Sequence, residues 1–285
     1  MKLPDCTLAF ASGKGGTGKT SLAVNYACHM ATQQRVVLAD LDVEEPNIGM
    51  YLTKGRSRMN TESVVMDLPI IDATRCTLCG KCADACNFNA LVVSVDRVFV
   101  FKEMCKSCGR CIHNCDFDAL QYEKHPIGVV NTYKCDALAV YEGCLDTGDI
   151  HTKSVIQEVK KRMPDTLAIL DCPPGTTCPM VEAIGDADFV VLVTEPTPFG
   201  LHDLSLAVEV AEKLGKKFGI IINKSDDNDV LIENYCRENG YIVLGKIPFS
   251  TAIAQKCGNG ELYYNDPVYS TVLENITMTI KEVVS

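Results

Sequence analysis

A glycine-rich segment near the start of the chain constrains the fold more than any other feature. Residues Gly13–Thr20 read GKGGTGKT, between the apolar segment Thr7–Ala11 and a helical pattern near Ser21–Thr32. Glycines let consecutive backbone N–H groups turn toward one anion, and the positive end of a following helix adds to the attraction. The segment fits the pattern G-x-x-x-x-G-K-[ST], which predicts a strand–loop–helix unit that binds phosphate groups.

The residues of this loop have distinct expected roles. Lys19 would reach the β and γ phosphates of ATP, and Thr20 would offer its hydroxyl to Mg²⁺. The residues expected to contact the nucleotide are Gly13, Lys14, Gly15, Gly16, Thr17, Gly18, Lys19, Thr20 and Ser21. The glycines also fit the G-x-G-x-x-G pattern of dinucleotide-binding folds, with Asp40 at the ribose, but that alternative leaves Lys19 and Thr20 unexplained.

Short β-branched segments alternate with helical patterns along much of the chain. The strand-like segments are Arg35–Ala39, Leu167–Leu170, Phe189–Thr194, Phe218–Ile222 and Ile242–Ile247. The helical patterns are Ser154–Arg162, Leu204–Lys217, Val230–Asn239 and Tyr269–Val284. This alternation predicts the α/β class, with a doubly wound, mostly parallel sheet of the P-loop NTPase type.

Two copies of one cysteine pattern interrupt the alternation. The spacing C-x2-C-x2-C-x3-C occurs first at Cys76, Cys79, Cys82 and Cys86, and again at Cys105, Cys108, Cys111 and Cys115. It is the spacing of bacterial ferredoxins, in which the fourth cysteine of each run binds the other cluster. We therefore expect two [4Fe-4S] clusters, one on Cys76, Cys79, Cys82 and Cys115 and one on Cys105, Cys108, Cys111 and Cys86. Tetrahedral zinc is the alternative.

The cysteine block predicts an inserted α+β domain of bacterial ferredoxin type. The expected division is 1–66 and 126–285 for the P-loop domain and 67–125 for the insert, with linkers near 60–66 and 123–129. Asn87 and Asp116 replace the proline that usually follows each fourth cysteine, which alters local rigidity more than cluster binding. Cys172 and Cys178 lie outside the block, beside the expected Mg²⁺ site, and plain burial is the favoured interpretation for them.

Composition restricts the setting of these sites. The chain has sixteen cysteines, and its N-terminal residues run straight into the glycine-rich loop, so we expect no removable signal peptide and a reducing cytoplasm. The net charge of −10 argues against nucleic acid as a partner. No apolar segment is long enough to span a membrane.

The form KGGTGKT, with its additional Lys14, resembles the deviant phosphate-binding loop of the MinD/ParA/Mrp and nitrogenase-iron-protein ATPases. The resemblance implies a homodimer formed on ATP binding, in which Lys14 reaches the partner's nucleotide; a solvated loop charge is the alternative. By the same likeness Asp42 is the catalytic acid, assisted by Lys14 and Lys19 and supported by Asp40. Asn223 and Pro248 would lie beside the adenine.

Asp171 ends an apolar segment, as the magnesium-binding acid of P-loop proteins does, and the alternative of a helix cap fits the following Pro-Pro-Gly poorly.

The chain as a whole resembles MinD-type ATPases that contain an inserted ferredoxin domain. Three functions follow as hypotheses: an ATPase that couples dimer changes to electron transfer, an ATPase for iron–sulfur or metal-cofactor assembly, or a spatial regulator of the MinD or ParA kind. The first two require an unknown redox or cofactor-assembly protein partner.

Overall fold

The computed structural model describes residues 2–52, 57–135 and 137–284. The chain divides into two compact units. The first comprises Met1–Glu62, Val130–Cys144 and Thr152–Ser285, and the second comprises Ser63–Val129 and Leu145–His151. The chain passes from the first unit to the second between residues 62 and 63 and returns between residues 129 and 130. It enters the second unit once more for residues 145–151.

The regular elements alternate as an α/β protein requires. The strands are β1 (Thr7–Ala11), β2 (Val36–Asp40), β3 (Ser57–Ile71), β4 (Leu91–Val93), β5 (Val98–Val100), β6 (Leu120–Cys135), β7 (Leu138–Leu145), β8 (Ala168–Asp171), β9 (Phe189–Thr194), β10 (Phe218–Ser225) and β11 (Val243–Pro248). The helices are α1 (Lys19–Ala31), α2 (Ile48–Tyr51), α3 (Lys81–Asp84), α4 (Arg110–His113), α5 (Thr152–Arg162), α6 (Cys178–Ile184), α7 (Pro198–Lys213), α8 (Val230–Asn239), α9 (Thr251–Gly258) and α10 (Pro267–Val284).

The main sheet has the strand order β11-β10-β9-β1-β8-β2-β7-β6-β3. Neighbouring strands from β11 through β7 pair in parallel. The predicted α/β fold with a mostly parallel sheet is therefore confirmed. Since parallel strands end at the same edge, the register places Asp171 of β8 directly beside Asp40 of β2.

The core of the first unit explains why the central strands read as continuous apolar segments. Every residue of β2, β8 and β9 is buried, as expected for strands covered on both faces. The ring of Phe10 on β1 packs against Tyr26 of α1, with ring centroids 5.5 Å apart. Helix α10 buries Leu273 and Ile276 in the same core, so its apolar face is already covered.

The second unit is small and built around its cysteines. Its core contains Cys82, Cys105 and Cys111 together with Leu91 and Leu120. The strands β4 and β5 form an antiparallel hairpin, and each of the four-residue helices α3 and α4 carries one of the buried cysteines. Residues 145–151, from the last residue of β7 to the residue before α5, also belong to this unit, although they lie outside the cysteine block in sequence.

Two expectations about local structure were wrong. Residues 60–66 and 123–129 do not form irregular connections but lie within the strands β3 and β6, although a boundary between the two units falls inside each segment. The outer part of β3 is exposed and polar, and an exposed strand lacks the apolar pattern by which a sequence reveals it. Helix α7 begins at Pro198 rather than near Leu204, since Thr197 caps it by accepting a hydrogen bond from the Gly200 N–H at 2.9 Å.

Candidate functional site

The glycine-rich loop connects β1 to α1 and adopts the curved backbone that its glycines permit. Gly16 and Gly18 have φ angles of +81° and +82°, in the left-handed region. A Cβ at Gly18 would also lie 2.3 Å from Nδ2 of Asn223. The Asn223 side chain donates a hydrogen bond to the carbonyl oxygen of Thr17 at 2.7 Å. Asn223 is thereby held against the loop.

Gly13 is required for a different reason. Its φ is not positive, but a Cβ there would lie 2.0 Å from the carbonyl oxygen of Asp203 on α7. Backbone atoms cannot move aside as a flexible side chain does, so this contact demands glycine. The start of the loop is therefore packed directly against the backbone of α7.

Lys19 and Asp171 form a buried ion pair beneath the loop. The Lys19 Nζ donates to Asp171 Oδ1 at 2.5 Å and lies 3.5 Å from the hydroxyl of Thr20. Burial lowers the pKa of Lys19, but the carboxylate of Asp171 outweighs burial and holds this pKa above its usual value. Within the described part of the chain, Asp171 Oδ2 and the hydroxyl of Thr17 are buried without a hydrogen-bond partner. Such atoms are expected to bind a ligand or water.

Asp40, the last residue of β2, and Asp42, two residues later, have different surroundings. Asp40 is fully buried, and its carboxylate accepts hydrogen bonds from the backbone N–H groups of Asp42 (3.2 Å), Asn47 (2.9 Å) and Ile48 (3.0 Å). Burial and the neighbouring Asp171 raise the pKa of Asp40 well above its usual value. Asp40 therefore shapes the backbone that carries Asp42, and does not itself project into the cavity described next.

A cavity of about 850 Å³ of space not filled by atoms, partly open to solvent, lies over the loop. Residues 12 and 14–21 line it, together with Asp42, Glu45, Asn47, Met50, Tyr51 and Pro174. Burial raises the pKa of Asp42 to about 6, against the opposing charge of Lys19. Met50 and Tyr51 were missed by the sequence analysis, because neither belongs to a motif and only the fold brings them to the loop.

Lys14 contacts a carboxylate that the sequence analysis did not single out. Glu195, just after β9, lies 3.9 Å from the Lys14 Nζ and 2.5 Å from the Lys224 Nζ. Lys224 also donates to the carbonyl oxygen of Gly16 at 3.0 Å. In the single chain, Glu195 therefore holds both lysines beside the loop. No pattern in the residues around Glu195 predicts this contact, because it depends on the order of the parallel strands.

Pro248 lies one strand away from Asn223. It ends β11 and pairs with Ser225 of β10, and its carbonyl oxygen accepts a hydrogen bond from Tyr269 at 3.4 Å. Among the described residues that line the cavity over the loop, neither Pro248 nor Asn223 appears. The structure thus brings Asn223 to the loop through Thr17 and leaves Pro248 at the neighbouring strand end.

In the second unit, the cysteines gather into two sets around two cavities. One cavity, of about 300 Å³ of space not filled by atoms, is lined by Cys76, Cys79, Cys82 and Cys115. The other, of about 350 Å³, is lined by Cys105, Cys108, Cys111 and Cys86. Each set contains three cysteines of one run and the fourth cysteine of the other run. This exchange of the fourth cysteine is the one that the spacing predicts.

The two cysteine loops have nearly the same backbone. Leu78 and Ser107 occupy equivalent left-handed positions, with φ angles of +57° and +53°, and Gly80 and Gly109 follow them with +85° and +75°. These turns direct backbone N–H groups at sulfur: the N–H of Ser107 donates to Sγ of Cys105 at 3.4 Å. The fourth cysteines are matched likewise, since Cys86 and Cys115 accept from the N–H groups of Ala90 (3.3 Å) and Ala119 (3.4 Å).

The cysteine sets are not sites for a single ion in this geometry. Among the described residues, no three His, Cys, Asp or Glu side chains converge closely enough to hold one metal ion. A four-iron cluster makes a different demand, because each thiolate binds its own iron at a separate corner. Burial raises the pKa of Cys111 to about 11, so binding of a metal group there must release a proton.

Cys172 and Cys178 do not form a common surface site. Cys172 is fully buried, and burial raises the pKa of its thiol to about 12. Cys178 is exposed at the start of α6. Plain burial, the favoured interpretation of both cysteines, therefore agrees with the surroundings of Cys172 but is wrong for Cys178, because the start of α6 leaves that side chain exposed. None of the described helices is both long and apolar enough to cross a bilayer.

The comparisons with known proteins agree with the geometry of the first unit. Uncharacterized protein MJ0579 of Methanocaldococcus jannaschii is 31% identical over 267 residues, which cover 91% of this chain and 92% of that protein. The cell division ATPase MinD of Pyrococcus furiosus has a similar fold, with a TM-score of 0.60, 19% identity and coverage of 98% and 99%. MinD of Pyrococcus horikoshii, solved with Mg-ADP, has a TM-score of 0.59, 18% identity and coverage of 98% and 97%.

The family match covers most of the chain, and the matched residues include the glycine-rich loop, Asp40, Asp42 and Asp171. The CobQ/CobB/MinD/ParA nucleotide-binding domain matches residues 8–263. The residues that line the cavity over the glycine-rich loop all fall within this match, and the chain belongs to the CobQ/CobB/MinD/ParA nucleotide-binding family.

Proposed function

We propose that the protein is an ATP-hydrolysing iron–sulfur protein that couples nucleotide-dependent changes of a homodimer to electron transfer through two [4Fe-4S] clusters. One observation carries the iron–sulfur part of this proposal. The two cysteine cavities each combine three cysteines of one run with the fourth of the other. A zinc knuckle has no need for that exchange, whereas a two-cluster ferredoxin arrangement does.

The nucleotide site supports phosphoryl transfer to water. Backbone N–H groups of the loop and the Lys19 ammonium would neutralise charge on the β and γ phosphates. Thr20 and Asp171 would hold Mg²⁺, and the unpartnered Oδ2 of Asp171 fits that role. Lys19 would exchange Asp171 for phosphate when ATP enters. The cavity presents the Asp42 carboxyl on its wall, where it can orient a water molecule.

The cysteine sites fit cluster binding by their chemistry as well as by their grouping. Thiolates are the preferred ligands of iron–sulfur clusters, and backbone N–H groups already point at Cys86, Cys105 and Cys115. Bound clusters would supply one-electron transfer. The chain's own contribution is to fix the cysteines, to restrict solvent around Cys82 and Cys111, and to leave Cys79 and Cys108 exposed.

A homodimer would complete the nucleotide site. Lys14 is held by Glu195 in the single chain, and release from that contact would let it reach a partner's nucleotide. ATP binding and association would then be linked, because each nucleotide would contact both chains. The proposal of a homodimer rests on this lysine and on the resemblance of the loop to that of MinD and ParA proteins.

Iron–sulfur or metal-cofactor assembly is the second candidate. The exposure of Cys79 and Cys108 favours it, since a cluster with an accessible ligand in each set could be passed to another protein. Spatial regulation of the MinD or ParA kind has less support. The apolar face of α10 is covered by the core of the first unit and would not be available as a membrane-targeting helix.

The two candidates make opposite predictions in one experiment. The full chain is reconstituted anaerobically, its iron and sulfide are counted, and it is titrated with reductant under electron paramagnetic resonance with and without Mg-ATP. Redox coupling predicts two [4Fe-4S] signals whose potential or line shape changes with ATP. If the potential and line shape of the clusters do not change with ATP, but the clusters are transferred to an apo-acceptor protein, the result supports the assembly function. A protein that takes up zinc but no cluster contradicts both.

A further inference from the structure

The carbonyl oxygen of Cys105 accepts a hydrogen bond from a histidine far away in sequence. Nε2 of His151 lies 3.1 Å from this oxygen. A carbonyl oxygen can only accept, so Nε2 carries the proton. In the described part of the chain, the equivalent carbonyl of Cys76 in the first repeat has no such side-chain partner. The two otherwise matched cysteine loops therefore differ at this point.

His151 is itself held in place. Nδ1 of its ring lies 2.6 Å from Oδ1 of Asp149, and the same carboxylate oxygen accepts from the His151 backbone N–H at 2.9 Å. Only 6% of His151 is exposed. The ring is thus bonded at both nitrogens and cannot rotate without breaking a buried contact. This arrangement matches the outer-shell partners that orient metal ligands in many proteins.

A second contact anchors the same loop. The hydroxyl of Ser107 donates to the carbonyl oxygen of Asp67 at 2.5 Å. The equivalent residue in the first repeat is Leu78, which has no group that could donate such a bond. Cys105 is also buried, whereas its counterpart Cys76 is half-buried. The His151 and Ser107 contacts and the burial of Cys105 together indicate a more firmly held loop around the second set of cysteines.

We propose that His151, oriented by Asp149, is a positioning residue for the second cysteine site, and that this site retains its cluster more firmly than the first. The second site means Cys105, Cys108, Cys111 and Cys86. The inference rests on the proposed function, in that both sites are taken to bind clusters. His151 acts through the backbone: it keeps the Cys105 thiol facing the cavity and resists opening of the loop. The first site, without this contact, is the one from which a cluster leaves more readily.

The test uses the full chain in two single-site backgrounds. Cys76→Ser with Cys79→Ser leaves only the second site intact, and Cys105→Ser with Cys108→Ser leaves only the first. His151→Phe is placed in each background, and after anaerobic reconstitution the rate of cluster loss to a ferrous-iron chelator is measured. We expect about tenfold faster loss from the second site, in the range typical of outer-shell substitutions, and an unchanged rate from the first.

Two further variants separate positioning from general damage. His151→Gln keeps an N–H donor and should restore most of the retention, together with the electron paramagnetic resonance spectrum of the reduced second cluster. His125→Phe is the matched control, because His125 lies in the same unit and its ring makes no hydrogen bond within the described part of the chain. Equal acceleration in both backgrounds, or no acceleration in the second, overturns the proposal.

A cluster-free measurement distinguishes failure of this inference from failure of the proposed function. In the unreconstituted chain, His151→Phe should speed amide hydrogen exchange at residues 105–109 and leave residues 76–80 unchanged. If the wild-type chain takes up no cluster at either site, the proposed function fails. If exchange at 105–109 does not change, the positioning role of His151 is wrong whatever the clusters do.

Discussion

At the scale of single residues, three aspartates at neighbouring strand ends share the work of the nucleotide site unequally. Asp171 neutralises Lys19, and Asp40 accepts three backbone N–H groups. Neither is free to act on a water molecule without losing a buried contact. Asp42 follows Asp40 in the chain and lies on the wall of the cavity, and it is the acid that we propose for that task.

Replacing Asp42 tests this division. We expect Asp42→Asn to lower the rate of ATP hydrolysis by a factor of about 10²–10⁴, because a positioned acid or base contributes that much. ATP affinity should stay nearly unchanged, since Lys19 and the loop remain. Glu238→Gln, which changes an exposed acid of α8 away from the cavity, is the control and should hydrolyse ATP as the wild type does. Undiminished turnover in Asp42→Asn would remove Asp42 from its role.

The pKa of Asp42 predicts a pH dependence. Burial raises this pKa to about 6, so the carboxyl group is protonated below that value and ionised above it. The ionised form is the stronger acceptor for a hydrogen bond from the attacking water and the only form that can take its proton. We therefore expect kcat/KM for ATP, which reports the free protein, to fall as the pH decreases through about 6. The same inflection in Asp42→Asn would assign it to another group.

At the scale of elements, the glycine-rich loop is confined from several sides. Asn223 of β10 and Lys224 bind its carbonyl oxygens, and the backbone of α7 touches Gly13. A P-loop motif in sequence specifies the curvature but not these supports. The loop is therefore arranged before nucleotide binds, because two separate elements, β10 and α7, hold it.

Two alanine substitutions in the loop should differ sharply. Gly18→Ala places a Cβ 2.3 Å from Asn223 at a φ of +82°, and we expect it to lower the free energy of unfolding by roughly 1–3 kcal/mol. At Gly15, a Cβ would meet no heavy atom within 4 Å among the described residues, and φ is not positive. Gly15→Ala is thus the matched control and should leave stability unchanged. Denaturant unfolding without nucleotide measures both, and equal stabilities would contradict the conformational argument.

At the scale of the whole molecule, two compact units are formed from interleaved stretches of one chain. The first unit carries the nucleotide site and the second carries all eight cysteines of the repeats. The second unit also includes residues 145–151, which run from the end of β7 to the residue before α5. His151, in this segment, contacts the Cys105 carbonyl oxygen. A fragment limited to the cysteine block would therefore lack part of the unit, and cluster experiments require the full chain.

Association should depend on Lys14. We expect Lys14→Ala to weaken ATP-dependent dimerisation by about tenfold or more, because a charge-assisted contact to a phosphate contributes roughly 1.5–3 kcal/mol. Analytical ultracentrifugation with a non-hydrolysable ATP analogue measures the effect. Lys161→Ala, which removes an exposed charge from α5, is the control. If Lys14→Ala dimerises as strongly as the wild type, Lys14 does not contact the partner's nucleotide and is a solvated loop charge.

Local pattern was enough to predict much of the first unit. The strands β1 and β9 and the helix α8 have the predicted bounds, because each combines a continuous local pattern with clear end signals. Each of the features from which the candidate sites were predicted also involves residues that lie close together in the sequence. They are the glycine-rich loop, Asp40 with Asp42, Asp171 at the end of β8, and the spacing of the cysteines. Exposed β3 and the start of α7 were mispredicted, since polar strands and proline-led helices give weak apolar periodicity.

The sequence by itself determined the kind of fold, the loop and the identity of the cysteine donors, because these depend on residue type and near spacing. Only the tertiary structure decided that Glu195 holds Lys14, that Asp40 braces a backbone turn, and that His151 contacts the Cys105 loop. Those contacts join residues far apart in the chain. Strand order and packing create them, and no pattern in the neighbouring residues specifies them.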